Sequence, residues 1–178
     1  MNNQPHFQGL ETAFLNLSFA IKLWHYFDTN RFDKEKFDIS LTIEDNTDRL
    51  CLPHNEFTTF DDLLLATENN ISICFGAAAI TLWEALREKN TYNTFAIDPN
   101  HSPEEMLACL SYMLRCCFAH GTVVPRWTMH PKYRASYRVG NKHIDLRSVD
   151  GQPFNYSAIG GYETLWLLRA EAASRGML

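Results

Sequence analysis

The sequence lacks the features that mark membrane, secreted or nucleic-acid-coating proteins. No apolar run approaches ~18 residues, which argues against a transmembrane helix, and the first residues have neither the basic start nor the apolar stretch of a secretion signal. The five cysteines are odd in number and form no Cys-x-x-Cys pair, which favours reduced thiols over a disulfide framework. The net charge of −5 argues against a general nucleic-acid coat protein. We expect a cytoplasmic protein with no membrane partner.

Internal repeats, low-complexity tracts, phosphate-binding loops and dinucleotide fingerprints are also missing from the sequence. Apolar residues are plentiful, at 46% hydrophobic and 13% aromatic over 178 residues. That content excludes a disordered tail and suffices for one ordinary core. We therefore expect a single domain over residues 1–178.

Apolar residues recur at helical spacing in four segments. These segments are 7–27, about 59–90, Ser102 to Gly121, and the residues after Gly160-Gly161. The third has the strongest start signal, because Ser102 can cap the helix, Pro103 suits its first turn and Glu105 lies three residues after the cap. Asn69-Asn70 could divide the second into two shorter helices.

Two regions change to the period of two that marks β-strands. Residues 37–43 alternate apolar and polar side chains, a turn-rich stretch follows at 44–48, and 49–52 could return as the partner strand. This predicts a hairpin inserted between helices within 28–58. Three later segments also resemble strands: 127–129, 133–139 and 142–146. Gly140-Asn141 suits the turn of a second hairpin, so the prediction is a mainly α bundle with one or two small β-hairpins.

The most informative stretch, Leu-Arg-Cys-Cys-Phe-Ala-His-Gly, ends the third helix. Arg115 and His120 have four residues between them, and the pair resembles the Arg-x(4–6)-His motif of the HEPN superfamily of compact helical domains. Gly121 and the downstream Pro125-x-Trp127 are similar to bacterial HEPN-like proteins in which a β-hairpin follows the motif helix. The resemblance covers roughly residues 59–127 and implies a HEPN-like bundle.

The resemblance implies a homodimer in which two copies of the motif face a shared cleft. For active members it also implies RNA cleavage without a metal ion or cofactor. A histidine such as His120 could move protons at a ribose 2′-hydroxyl and a leaving oxygen, and Arg115 could hold the phosphate. RNA-cutting members often carry Asn, Asp or His directly after the motif arginine, where this chain has Cys116. A thiol is a weak hydrogen-bond donor, so it replaces such a polar residue poorly.

The predicted function is therefore RNA binding with metal-independent endoribonuclease activity of toxin or defence type, with an antitoxin or other protein as a further partner. The alternative is a non-catalytic, dimeric HEPN-like interaction module. A small-molecule-binding helical protein is a third interpretation, and it would require a closed apolar pocket.

A basic, aromatic region over 125–147 follows the motif. Seven of the 16 Lys and Arg residues fall between 115 and 147, where Asp145 is the sole acidic residue, so the local charge is +6. Such a patch can follow a phosphate backbone while aromatic rings stack on unpaired bases. The predicted RNA-binding residues are Arg126, Trp127, Lys132, Arg134 and Arg138. The alternative is a solvated hairpin face whose aromatic rings pack on the helices.

Three other interpretations compete for the motif region. Arg115 could pair with a nearby carboxylate or with helix-end carbonyls while His120 caps the helix. Cys109, Cys116 and His120 could share a helical face as zinc ligands, but no second ligand pair follows at structural-zinc spacing. Cys117 and His120 have the residue types of a thiol nucleophile and its base. Buried free cysteines explain the pattern better, and we predict no metal.

Overall fold

A computed structural model describes residues 5–29, 33–45, 48–53, 55–94 and 96–178. Within these ranges the helices are α1 (Pro5–Asp28), α2 (Lys34–Phe37), α3 (Phe60–Asn90), α4 (Pro103–Ala119) and α5 (Thr164–Ser174). The strands are β1 (Leu41–Asp45), β2 (Asp48–Leu52), β3 (Ser136–Val139) and β4 (Lys142–Asp145). They form two separate antiparallel hairpins, β1–β2 and β3–β4. The predicted class, mainly α with small β-hairpins, is confirmed.

The core lies where α3 packs between α1 and α4. The predicted stripe of α1 is the side that is buried, with Leu10, Phe14 and Leu17 almost inaccessible. The opposing residues of α3 are buried at the same helical spacing: Ile71, Phe75, Ala78 and Leu82. One continuous apolar cluster joins these helices to the β3–β4 hairpin and α5, so the stripes account for how the bundle closes.

Helix α3 is a single element of 31 residues. Thr59 and Asp62 form a capping box at its start, in which Asp62 N donates to Thr59 Oγ1 at 3.1 Å and Thr59 N donates to Asp62 Oδ2 at 2.8 Å. Satisfying these backbone donors fixes the helix start. The helix continues through Asn69-Asn70 without a break, so the alternative of two shorter helices is wrong.

The length and apolar character of α3 also bear on membranes. Among the described residues, α3 is the one helix long and apolar enough to cross a bilayer, with a mean hydropathy of 1.4 over an 18-residue window of which 39% is buried. The core helix of a soluble protein meets the same criterion. Run length alone therefore does not exclude a transmembrane helix here, and the expected absence of a membrane partner stays a prediction.

The insertion between α1 and α3 differs from its prediction at one end. Phe37 lies at the end of the short helix α2, which Asp33 caps by accepting from Glu35 N, so the strand begins at Leu41 instead of residue 37. Asp38 then accepts from the backbone N–H groups of Glu56 and Phe57, both at 2.9 Å. The β1–β2 pairing is as predicted, whereas residues 46–47 of the proposed turn lie outside the described residues.

Of the three strands predicted in the C-terminal third, two are present and form one hairpin. Trp127 to Met129 is not a strand, although Trp127 N donates to Gln152 O at 3.0 Å. Tyr133 closes a 3-10 turn that begins at Pro131. Gly140 has a φ of 58°, a left-handed conformation that favours glycine. The predicted turn at Gly140-Asn141 between β3 and β4 is therefore present.

Candidate functional site

The last two turns of α4 carry a strip of side chains that the core leaves uncovered, here called the α4 strip. Its members are Tyr112, Arg115 and Cys116, which are half-buried, and Ala119 and His120, which are exposed. The opposite side of the same turns is buried, at Met113, Leu114, Cys117 and Phe118. At about 100° per residue, Arg115 and His120 lie roughly 140° apart with the other members between them. The two motif residues therefore border one solvent-facing arc.

Neither motif side chain is engaged by the rest of the described chain. Arg115 forms no ion pair or hydrogen bond with any residue that the structure describes. His120 occupies the C-cap position, where its backbone N–H donates to Phe118 O while its side chain stays exposed. Among the described residues Arg115 therefore has no carboxylate partner, and His120 ends the helix through its backbone.

Cys116 is engaged within the α4 strip. Burial, together with a hydrogen bond to Cys116, raises the pKa of Tyr112 to about 12. The Tyr112 ring also packs against Trp83 and Tyr133, with centroid separations of 5.0 Å and 5.6 Å. Cys116 is thus held beside a phenol that stays protonated near neutral pH.

Helix α4 ends two residues before the predicted stop at Gly121. Gly121 has no left-handed backbone conformation, and a Cβ there would meet Val124 O at an ordinary 3.5 Å. The loop is held instead by Ser72 of α3, whose Oγ donates to Thr122 O at 2.6 Å. Neither the backbone conformation at residue 121 nor the space around it therefore requires a glycine.

The cysteines do not support the alternative chemistries. Burial raises the pKa of Cys109 and of Cys117 to about 12, so both thiols are protonated near neutral pH and are poor nucleophiles and ligands. Across the described residues, no group of three His, Cys, Asp or Glu side chains is placed to hold a metal ion. Cys109, Cys116 and His120 thus do not assemble into a zinc site, and Cys117 does not match a thiol nucleophile.

The aromatic residues of the basic region belong to the core. Trp127 is 1% exposed, and Tyr133 and Tyr137 are similarly buried. Burial raises the pKa of Tyr133 to about 12. A ring without an accessible face cannot stack on a base, so the predicted stacking role of Trp127 is wrong. The alternative, rings packed on the helices, describes these three residues.

Several basic side chains of the region are paired with acids. Arg134 lies 2.5 Å from Asp150, and Lys142 lies 2.5 Å from Glu163. Asp145 pairs with Arg147 at 2.6 Å, which lowers the pKa of Asp145 to about 2. Asp150 and Glu163 come from outside the 115–147 segment, so these two acids lower the local charge in space from +6 to +4.

The other predicted RNA-binding residues differ in how free they are. Lys132 donates to Thr94 O at 3.2 Å and lies 4.7 Å from the centroid of the Tyr133 ring. Arg126 is exposed and reaches Gly151 O at 3.4 Å. Arg138 is exposed and forms no ion pair within the described ranges. It lines a cleft of about 440 Å³, which makes Arg138 the most available of the predicted phosphate contacts.

A second cleft lies beside the loop that follows His120, and sequence reasoning missed it. It measures about 340 Å³. Its walls come from α1, α3, the 123–125 loop and the 154–162 segment, and include Trp24, Glu68, Asn69, Val123 and Tyr162. These residues are far apart in the sequence, and the one signal visible there is the group of aromatic residues around Gly160-Gly161. We call this feature the Trp24 cleft.

Comparisons with known proteins give no further guide to the site. The chain matches none of the family models, curated proteins or solved structures with which it was compared. The case for a function therefore depends on the α4 strip and its surroundings.

Proposed function

We propose that this protein is a HEPN-like RNA-binding protein that cleaves RNA without a metal ion, using Arg115 and His120. One observation carries the proposal: both side chains border the α4 strip, and Arg115 has no ion pair with any described residue. An unpaired guanidinium on a partly covered helix face is available to an anion, and phosphate is the anion whose geometry it matches. A role in a toxin or defence system, with an antitoxin as partner, is part of this proposal.

The chemistry needs only the RNA and these two side chains. Neutral His120 takes the proton of a ribose 2′-hydroxyl, and the 2′-oxygen attacks the adjacent phosphorus. The bond from phosphorus to the 5′-oxygen breaks, and that oxygen leaves with a proton from the imidazolium or from water. Arg115 stabilises the charge that grows on the phosphate oxygens. The products are a 2′,3′-cyclic phosphate and a 5′-hydroxyl, so atoms and charge balance without a co-reactant.

The proposal includes a homodimer, and the residues that support it are the exposed valines after His120. The apolar stripe of α1 and most of the small residues of α3 are buried within the protomer, so they do not supply a dimer face. Val123 and Val124 are 48% and 67% exposed, and both lie in the loop directly after His120. Exposed apolar residues beside the motif suit a homodimer that brings two α4 strips together.

The experiment is cleavage of a mixed RNA pool by purified protein in EDTA. We expect Arg115→Ala and His120→Ala each to lower the rate by about 10²–10⁴, with cyclic phosphate ends on the products of the parent protein. Cys117→Ala is the matched control, because a buried protonated thiol has no role in this chemistry. Cys116→Asn should keep or raise the rate by restoring a polar neighbour. A magnesium requirement, or full activity of His120→Ala, would refute the mechanism.

A non-catalytic, dimeric HEPN-like interaction module is the second candidate. It is favoured by the pairing of Arg134, Lys142 and Arg147 with acids and by the burial of Trp127, since both weaken the RNA-binding surface. Under this alternative the dimer forms, but RNA is not cut and Arg115→Ala changes only partner binding.

A further inference from the structure

Aromatic rings form a connected series from the core to the Trp24 cleft. Ring centroids are separated by 5.4 Å between Trp127 and Phe154, 5.0 Å between Phe154 and Tyr156, and 4.0 Å between Tyr156 and Tyr162. Trp127 is buried, whereas Tyr162 is half-buried and lines the cleft. Phe154 and Tyr156 meet edge to face at 90°, whereas Tyr156 and Tyr162 are tilted by only 34°. Tyr156 thus supports the ring of Tyr162, which is the ring on which a planar guest can stack.

Polar groups of both kinds face the same cleft. Glu68 is exposed and makes no ion pair with a described residue, and Asn69 supplies an amide beside it. Burial, and after it the charge of Glu68, raises the pKa of Tyr162, and both residues line the cleft. Trp24 Nε1 is closed off from solvent, so a guest in the cleft does not reach this N–H.

The hydrogen-bonding groups of the cleft distinguish between the four RNA bases. A carboxylate only accepts hydrogen bonds, and guanine presents two adjacent donors, N1–H and the exocyclic amino group, to its two oxygens. The O6 of guanine is an acceptor, and the amide of Asn69, which lines the same cleft, carries donors for it. Adenine and cytosine place a lone pair beside their amino groups, and uracil flanks its N–H with two carbonyls. A quaternary ammonium would suit the rings and Glu68 but would offer no acceptor.

The cleft also lies at the right place for a base of bound RNA. Val123 and Pro125 line it, and Val123 is three residues after His120, a separation that spans at most about 11 Å. We propose that the Trp24 cleft binds an unpaired guanine base of an RNA whose neighbouring phosphate lies at Arg115 and His120. The inference rests on the proposed function, to which it adds a preference for single-stranded RNA and for cutting beside guanine.

Nucleoside binding tests the cleft without the phosphate site. The full-length protein is titrated with guanosine, adenosine, cytidine and uridine, with binding followed by NMR. We expect guanosine to bind at least ~10-fold more tightly than adenosine. Glu68→Gln and Tyr162→Ala should each weaken guanosine binding by about tenfold, whereas Tyr162→Phe keeps the ring and should stay within about twofold. Glu84→Gln is the control, since that exposed glutamate lies sixteen residues along α3, about 24 Å from Glu68.

Mapping the cut sites in the RNA pool provides the second measurement. The parent protein should cut beside guanine, and Glu68→Gln should lose that preference while still cutting. Cleavage that depends on Arg115 and His120 without any base preference, and without guanosine binding, would overturn the cleft proposal and leave the ribonuclease intact. Guanosine binding that is sensitive to Glu68→Gln, in a protein that cuts no RNA, would support the cleft and refute the ribonuclease. Binding of tetramethylammonium but not guanosine would also overturn the cleft proposal.

Discussion

Gly76 of α3 and Phe118 of α4 are in direct contact, and the contact depends on the missing side chain of the glycine. A Cβ at Gly76 would lie 2.8 Å from Phe118 Cδ1 and 3.1 Å from Phe118 Cβ. Both residues are buried, so neither can move aside into solvent. Because Phe118 precedes His120 by two residues, this contact also sets where the end of α4 lies.

Gly76→Ala should therefore destabilise the protein. Overpacking of a filled core costs about 1–3 kcal/mol, and the gain in helix propensity from glycine to alanine returns up to about 1 kcal/mol, so we expect a net loss of roughly 1–2 kcal/mol. Urea denaturation measures it. Gly9→Ala is the matched control, because its Cβ would meet Thr81 Cγ2 at an ordinary 3.8 Å, and it should stabilise slightly. Equal stability of Gly76→Ala and the parent protein would contradict the close approach.

Arg138 should contribute more to RNA binding than Arg147, although both side chains are exposed. Arg147 is neutralised by Asp145, whereas Arg138 has no ion pair in the described ranges. One phosphate contact changes the slope of log affinity against log salt by about 0.7 for single strands. Arg138→Ala should flatten the slope by about that amount, and Arg147→Ala should leave it unchanged. The reverse order, measured by fluorescence anisotropy at several salt concentrations, would mean that the pairing seen here does not govern binding.

The helices could be predicted from sequence because their signals are local. Ser102 caps α4 by accepting from Glu105 N at 3.1 Å, and Pro103 is the first helical residue. Both agree with the helix start predicted at Ser102 and Pro103. The start of β1 was wrong for a similarly local reason. Asp33 caps a helical turn that ends at Phe37. The alternation of apolar and polar residues that predicts a strand from residue 37 carries no information about this cap.

The candidate surface was harder to predict because its partners are distant in sequence. Arg134 and Asp150 are sixteen residues apart, and Lys142 and Glu163 are twenty-one apart, so a charge count within one segment misses the acids that neutralise it. Trp127 has the residue type of a stacking platform, but the fold places it in the core. Residue type alone does not distinguish these roles, since burial depends on which elements meet.

The pairing of Asp145 with Arg147 predicts a specific pH response. Arg147 lowers the pKa of Asp145 from 3.8 to about 2, so the folded state holds this proton less tightly than the unfolded state. The stabilising contribution is therefore complete above pH ~4 and is lost as the pH falls towards 2. Carboxyl ¹³C NMR should show Asp145 titrating near 2, and Arg147→Ala should return it towards 3.8. Arg134→Ala is the control, because its partner is Asp150, and a shift of Asp145 in that variant would contradict the assignment.

Val124→Glu should separate the proposed dimer and remove cleavage together. The side chain is 67% exposed and lies four residues after His120. A charge there costs the protomer little but would be buried without a partner if two α4 strips meet. Phe19→Glu is the matched test, since Phe19 is 65% exposed on α1, a helix packed against α3. Light scattering of each variant shows whether the dimer depends on the surface around Val124 or on that around Phe19, and the cleavage assay shows whether activity is lost with the dimer. A dimer broken by Phe19→Glu but kept by Val124→Glu would place the interface on α1 and remove the basis for a shared Arg115–His120 site.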